Sequence, residues 1–590
     1  MLRRRGPRSR PVRAAGRAVR RRVRPAASPV VRARRALLPR RPAGPPRGRG
    51  GAVRAVRGVP GARARQAAGR AGPGAVGARA EHHVPAGAAR RDVPVNGLGP
   101  ALLDGLRAAG PREVLVCGGL RLSGDDALDM VSAAAGRLAA GGVRRGDTIA
   151  CLYGTGAESP VARIVALALG CRFVHVWGGV PDEVVVRAMR ALDASALLYA
   201  PSRRAEAERL LAACPVRVHE ALDDDLYLAP ATGDVDMPGV PDGASLVTFS
   251  SGTTGQNKIV AYGPDAEAAH LAAAQAMYGP PPWRLLVTPR ARYLPDMFVI
   301  WTLAGGGTAV LEPDARPQRL AETIEREAVT HLMAGRPVDL YGLAEHLEDA
   351  PADLTTLRLI VYGGAAAVPA RTARAAGRLG PLLMQNYGTS EGGFLTVLEP
   401  RDHARPELLM SVGRAVPGVE LRVRDRHGAD LPAGEAGEVW TRSPQRMSGY
   451  PGDPARTAAA CRDGWLRTGD VGRMDGDGHL FLLDRTEDRL PGGLYAHPIE
   501  HVLTGHPAVL DAAVFALPHA AGRALAGVVV GRDGRPVDLD GLRELVRGAL
   551  GARCEPRHLW EIDELPRTPG GKPDKAALAT RFAAGPAAPR

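Results

Sequence analysis

Lysine is nearly absent from this chain. It occurs three times in 590 residues, as Lys258, Lys572 and Lys575, against 75 arginines. Aromatic residues make up only 4%, and the six cysteines (Cys117, Cys151, Cys171, Cys214, Cys461 and Cys554) form no Cys-x-x-Cys pair. That pattern excludes a zinc ribbon and a disulfide framework and fits a reducing compartment, the cytoplasm. No uninterrupted apolar run reaches the roughly 18 residues of a membrane span. Acidic residues are missing from residues 1–80, which hold 24 arginines; the first acid is Glu81. Residues 81–590 carry 54 basic and 62 acidic side chains, so the formal net charge of +16 belongs to the N-terminal block. A mildly acidic body argues against nucleic-acid or membrane partners recruited by charge.

Residues 1–85 are rich in Arg, Ala, Pro and Gly without an apolar period, and are expected to be disordered. Three readings of the block stay open: a nucleic-acid or membrane-binding tail, an Arg-rich transit peptide, or an extension without function that precedes the true start. Beyond residue 93 the length calls for two or three domains. Short apolar strands alternate with helices: strands over 147–153, 172–176 and 196–199, helices over 160–169 and 184–191. The alternation resumes after Ala244, with strands over 246–249, 284–288, 308–311 and 357–362 and a helix over 370–378. This predicts parallel α/β sheets. Residues 413–442 read as a small β-rich section. From Val509 a small α+β unit follows, with strands over 512–517 and 527–530 and a helix over 542–550.

Four segments have the composition of a nucleotide site. Ser250-Ser-Gly-Thr-Thr-Gly-Gln-Asn-Lys258 follows a strand and offers backbone N–H groups, hydroxyls and an ammonium to phosphate oxygens. It is not a Walker loop, because Ile259–Tyr262 continues as a strand rather than a helix. In Gln385-Asn-Tyr-Gly-Thr-Ser-Glu-Gly-Gly393 a tyrosine can lie on a purine, and hydroxyls with a carboxylate suit phosphate and Mg2+. In Trp465-Leu-Arg-Thr-Gly-Asp470 the aspartate can accept both hydroxyls of a ribose. The fourth, Leu565-Pro-Arg-Thr-Pro-Gly-Gly-Lys-Pro-Asp-Lys575, would pass for a solvated tail but for the lysine scarcity. An ammonium is a compact point charge, a guanidinium a planar fork, and this chain keeps lysine only in the first and fourth segments. Lys572, after two glycines, is the stronger candidate; Lys575 is expected to be a passenger.

Taken in order, these segments resemble the adenylate-forming superfamily of acyl-CoA synthetases, luciferases and peptide-synthetase adenylation domains. The resemblance spans about residues 95–580. It implies a large N-terminal domain of parallel α/β sheets with a small β-rich subdomain over 93–484 and a small mobile α+β C-terminal lid over 485–582, between the expected disordered 1–85 and a disordered tail over 583–590. Ser250, Ser251, Gly252, Thr253, Thr254, Gly255 and Lys258 are similar to its phosphate loop. Gly363, Gly364 and Ala365 are similar to its adenine-binding turn. Asn386, Tyr387, Gly388, Thr389 and Ser390 are similar to the motif stacking the adenine, with Glu391 on Mg2+. Gly437-Glu438 and Met447-Ser-Gly-Tyr450 match in order. Asp470 would hold the ribose and Arg485 sit near ribose and phosphate. Glu487 falls at the hinge, Gly492 and Gly493 at the thiol tunnel, and Lys572 at the catalytic lysine of the lid.

The resemblance implies ATP and Mg2+, a small carboxylic acid substrate, and a thiol acceptor: CoA, or the phosphopantetheine of an acyl or peptidyl carrier protein. The leading expectation is an acyl-CoA ligase. The alternatives are a stand-alone enzyme loading an amino or aryl acid onto a carrier protein, and a non-catalytic nucleotide-binding homologue. Three departures touch the thiol step: Asp484 stands where the family has Gly, Glu487 where it has Asp or Lys, and the loop to Gly492 is one residue short. Amino-acid-activating members carry an aspartate for the substrate amine. Asp296, in Arg292-Tyr-Leu-Pro-Asp-Met-Phe298, is either that group or a plain loop residue.

Overall fold

The computed structural model describes residues 97–152, 154, 156–222, 245–250, 257–288, 293–519, 522–532, 537–568 and 573–583. The Arg-rich block, the tail over 584–590, Ser251–Gln256 and Lys572 lie outside them, and with them the disorder expected for 1–85 and the tail.

Two largely parallel sheets organise the N-terminal domain. Six strands run in the order Val218–Ala221, Ala194–Tyr199, Thr148–Leu152, Arg172–Val176, Leu246–Ser250, Lys258–Tyr262, the last antiparallel to its neighbour. Nine strands form the other sheet, with Leu383–Thr389, Leu359–Gly363, His331–Gly335, Arg284–Val287 and Thr308–Leu311 parallel at its centre. Their sequences are near-continuous apolar runs because helices cover both faces. Leu98–Ala109, Gly124–Ala140, Glu158–Ala168, Pro264–Tyr278 and Tyr293–Ala304 share one apolar core with residues of both sheets. Pro317–Arg326, Pro337–Asp349 and Pro369–Leu379 cover the outer face of the nine-stranded sheet. Asp182–Ala191 and Arg204–Ala213 cover that of the six-stranded sheet. A five-stranded antiparallel sheet over Glu420–Arg485 is the β-rich subdomain. The smaller C-terminal domain packs helices Ala496–Thr504, Leu539–Leu550 and Lys575–Ala583 on a three-stranded sheet. No helix among the described residues is long and apolar enough to cross a membrane.

The fold corrects one expectation. Asp296 is neither in a loop nor free for a substrate amine. It lies in the helix Tyr293–Ala304, is 4% exposed, and its Oδ2 accepts from Arg163 at 3.0 Å. Arg163, itself 1% exposed, also pairs with Glu267, which takes a hydrogen bond from Ser245. A buried guanidinium needs such partners, since an unpaired buried charge costs several kcal/mol.

Burial lowers His270 and His331 to about 4 each, from an ordinary 6.5. The unfolded chain therefore takes up protons below pH 6.5 that the folded chain refuses. Stability is full above that pH and falls as pH drops toward 4, by about 2 kcal/mol per site at pH 5. Thermal melts between pH 7 and 5, above the carboxylate range, should show Tm falling steadily; a flat profile would contradict it.

Candidate active site

The parallel strands Leu359–Gly363 and Leu383–Thr389 pair with Gly363 opposite Asn386, so the turn at Gly363–Ala365 and the Tyr387 segment meet at the C-terminal edge of the sheet. Crevices at that edge are where open α/β sheets bind ligands. Two glycines permit the approach. A Cβ on Gly363 would lie 2.2 Å from the Asn386 carbonyl oxygen, and one on Gly388 would lie 2.3 Å from that of Gly393. Asn386 is held from behind, its amide donating to the Tyr278 hydroxyl.

Two carboxylates dominate what converges here. The Asp470 Oδ2 accepts from the Tyr387 hydroxyl at 2.6 Å, and its Oδ1 lies 3.0 Å from the Arg485 Nε. Asp470 and Arg485 are register partners on adjacent strands, and Arg485 also donates to the Thr468 carbonyl at 3.2 Å. Burial, then the negative charge of Asp470, pushes the Tyr387 phenol well above its ordinary value, so it stays a donor. Burial works against the Arg485 cation, but Asp470 and the neighbouring acids more than offset it.

The second carboxylate, Glu391, is held by Lys258 at 3.2 Å and by the Tyr450 hydroxyl at 2.9 Å. Lys258 starts the strand opposite Ser250, so the sequence between them connects two antiparallel strands. The segment Met447–Tyr450 is stitched to both neighbours: the Met447 N–H donates to the Glu391 carbonyl, and Ser448 and Gly449 exchange backbone bonds with Ala261. The Tyr262 hydroxyl donates to the Ser390 carbonyl. Tyr450 and Tyr262 were missed as site residues, although Tyr450 closes a quoted motif. Tyr262 carried no signal, being one apolar strand residue among several.

Of the expected residues, the structure brings Lys258, Glu391, Tyr387, Asp470 and Arg485 into these two clusters, with Gly363, Gly388 and Thr389 at the ends of the adjoining strands and Gly364, Ala365 and Ser390 on the turns that follow. Ser251, Gly252, Thr253, Thr254, Gly255 and Lys572 lie outside the described residues. Glu487 is exposed in the connection after Arg485, and Pro491–Gly493 forms one 3₁₀ turn whose Gly492 carbonyl accepts from Arg553 at 3.1 Å. Asp484, in place of the family's Gly, is 4% exposed; its Oδ2 accepts the Ala496 N–H at 2.8 Å, the start of the helix Ala496–Thr504. A carboxylate there caps the helix and ties the connection to the C-terminal domain. The Lys575 ammonium lies 3.0 Å from Glu500.

No group of three or more acidic, His or Cys residues that could hold a metal occurs among the described residues. The single carboxylate of Glu391, beside Lys258, fits Mg2+, which keeps waters and takes most ligands from a substrate's phosphates.

Comparison with known proteins agrees with this geometry. Residues 106–451 match the model of AMP-binding enzymes and residues 498–572 that of the AMP-binding enzyme C-terminal domain. A feruloyl-CoA synthase of Amycolatopsis is 31% identical over 79% of this chain and 95% of its own length. A medium/long-chain fatty acid–CoA ligase of Mycobacterium tuberculosis is 32% identical over 59% of this chain and 62% of its own. An amide bond synthetase of Marinactinospora thermotolerans superposes with a TM-score of 0.77 at 40% identity, covering 83% of this chain and all of that one. With both family models matched in order, and the first over more than half its length, the chain belongs to the AMP-binding enzymes.

Proposed function

We propose that the protein is an AMP-forming ligase that activates a small carboxylic acid with ATP and passes the acyl group to the thiol of CoA, in the cytoplasm. The observation that carries the reading is the pair of carboxylate clusters, Asp470 with Tyr387 and Arg485, and Glu391 with Lys258 and Tyr450, which draw residues of three sheets around the Tyr387–Glu391 segment. Tyr387 would lie on the adenine, Asp470 take the ribose hydroxyls, and Lys258 with the Ser250–Gly255 stretch hold phosphate oxygens. Mg2+ at Glu391 would offset phosphate charge. A carboxylate oxygen attacks the α-phosphorus, the bond to the bridging oxygen breaks, and pyrophosphate leaves. Lys572 would hold the carboxylate and α-phosphate together, so catalysis is positioning plus electrostatics. The thiol sulfur then attacks the acyl carbon, AMP leaves, and the thiol proton goes to solvent.

A second reading replaces the thiol by an amine. The full-length match to an amide bond synthetase at 40% identity favours it, and Asp484 alters the connection that precedes the thiol-tunnel glycines. The deciding experiment is pyrophosphate exchange over fatty, aryl and amino acids, followed by mass analysis of products with CoA and with simple amines in competition. Acyl-CoA as the main product supports the first reading and amide the second; no exchange with any acid overturns both.

Every candidate residue lies after position 245, so deleting residues 1–85 should leave exchange unchanged. Loss of active protein on truncation would show that the block contributes.

A further inference from the structure

Lys575, three residues after Lys572 in the sequence, begins the helix Lys575–Ala583. Its partner Glu500 is 14% exposed and sits on the helix Ala496–Thr504, where it also accepts the Val514 N–H at 2.9 Å. That is the helix capped by Asp484. Burial works against the Lys575 ammonium, but Glu500, Asp484 and Asp488 together hold it above the ordinary lysine value. Glu500 is its contact, and Asp484, at the end of the strand Leu480–Arg485, holds the N-terminus of the same helix.

The chain on either side of the 569–572 stretch is pinned. Arg567 pairs with Asp511, and Arg567 and Pro573 form an antiparallel bridge. The Asp574 N–H donates to the Pro566 carbonyl at 2.8 Å. The 567–573 loop is therefore closed at its base, with Arg567–Asp511 anchoring one end and Lys575–Glu500 the other. Lys572 is three residues from the second anchor.

We propose that Lys575 is a positioning residue. By binding Glu500 on the helix that Asp484 caps, it ties the chain that follows Lys572 to that helix, and so holds the base of the 567–573 stretch in place. The inference rests on the adenylation reading for its kinetic consequence, but not for its structural one.

The test compares Lys575→Met, Lys575→Arg and Glu500→Gln in the full chain. Lys575→Met and Glu500→Gln should each slow pyrophosphate exchange about 10- to 100-fold through kcat, because misplacing a catalytic group by about 1 Å costs that order. The KM for ATP and the consumption of preformed acyl adenylate should hold. Lys575→Arg, which keeps the charge, should recover most of the loss. Amide hydrogen exchange over 566–574 should quicken in the first two variants and not in the third. The proposal is overturned if that exchange is unmoved, or if both half-reactions fall in parallel with Tm. A wild type that exchanges no acid overturns the adenylation reading instead, while quickened exchange over the loop still supports the anchor.

Discussion

Arginine in place of Lys572 is expected to cut adenylation about 100- to 1000-fold, roughly 3–4 kcal/mol of transition-state stabilisation, although it is the substitution this chain's composition would favour. The charge survives, but its shape does not. Under the proposed assignment the ammonium must fit between the substrate carboxylate and the α-phosphate in a closed site, and a fork spreads its charge over a wider plane. The second half-reaction, measured from synthetic acyl adenylate, should be far less affected, because this lysine acts before the adenylate exists. Lys575→Arg is the companion variant and should stay close to wild type. Near-normal exchange in Lys572→Arg, or greater damage from Lys575→Arg, would remove Lys572 from its role.

Glu391→Gln should lower exchange by about 100-fold and raise the Mg2+ concentration needed for half-maximal rate. The amide keeps the shape, and Tyr450 can still donate to its oxygen, so the fold should persist. What goes is the charge facing Lys258, 3.2 Å away, and with it the hard-cation ligand. An unchanged Mg2+ dependence would mean that Glu391 serves only as the counter-ion of Lys258.

Arg172–Val176 and Thr308–Leu311 have the ends read from sequence, because a strand buried on both faces is an apolar run bounded by turns. The helix Tyr293–Ala304 escaped for the opposite reason. It is apolar all round, with Pro295 in its first turn, so no 3.6-residue period marks it. Arg163 looked like any helix arginine; its partners Glu267 and Asp296 are 104 and 133 residues away, and only the fold shows that it is buried. The candidate site was more legible than the core because its motifs are local. Lys575 was not, since its partner Glu500 is 75 residues away in the sequence.

The hydrogen bond from Tyr387 and the ion pair from Arg485 converge on the single carboxylate of Asp470. Under the proposed roles, that side chain is where the nucleotide and the swinging lid compete. A ribose that takes the Asp470 oxygens would loosen Arg485, the last residue of the strand that leads into the C-terminal domain, and a domain held through Arg485 would weaken the ribose by the same free energy, since linkage is reciprocal. On that assignment nucleotide occupancy would become a signal read at the pivot: the state of the substrate would set how freely the C-terminal domain turns, without any residue having to travel between them.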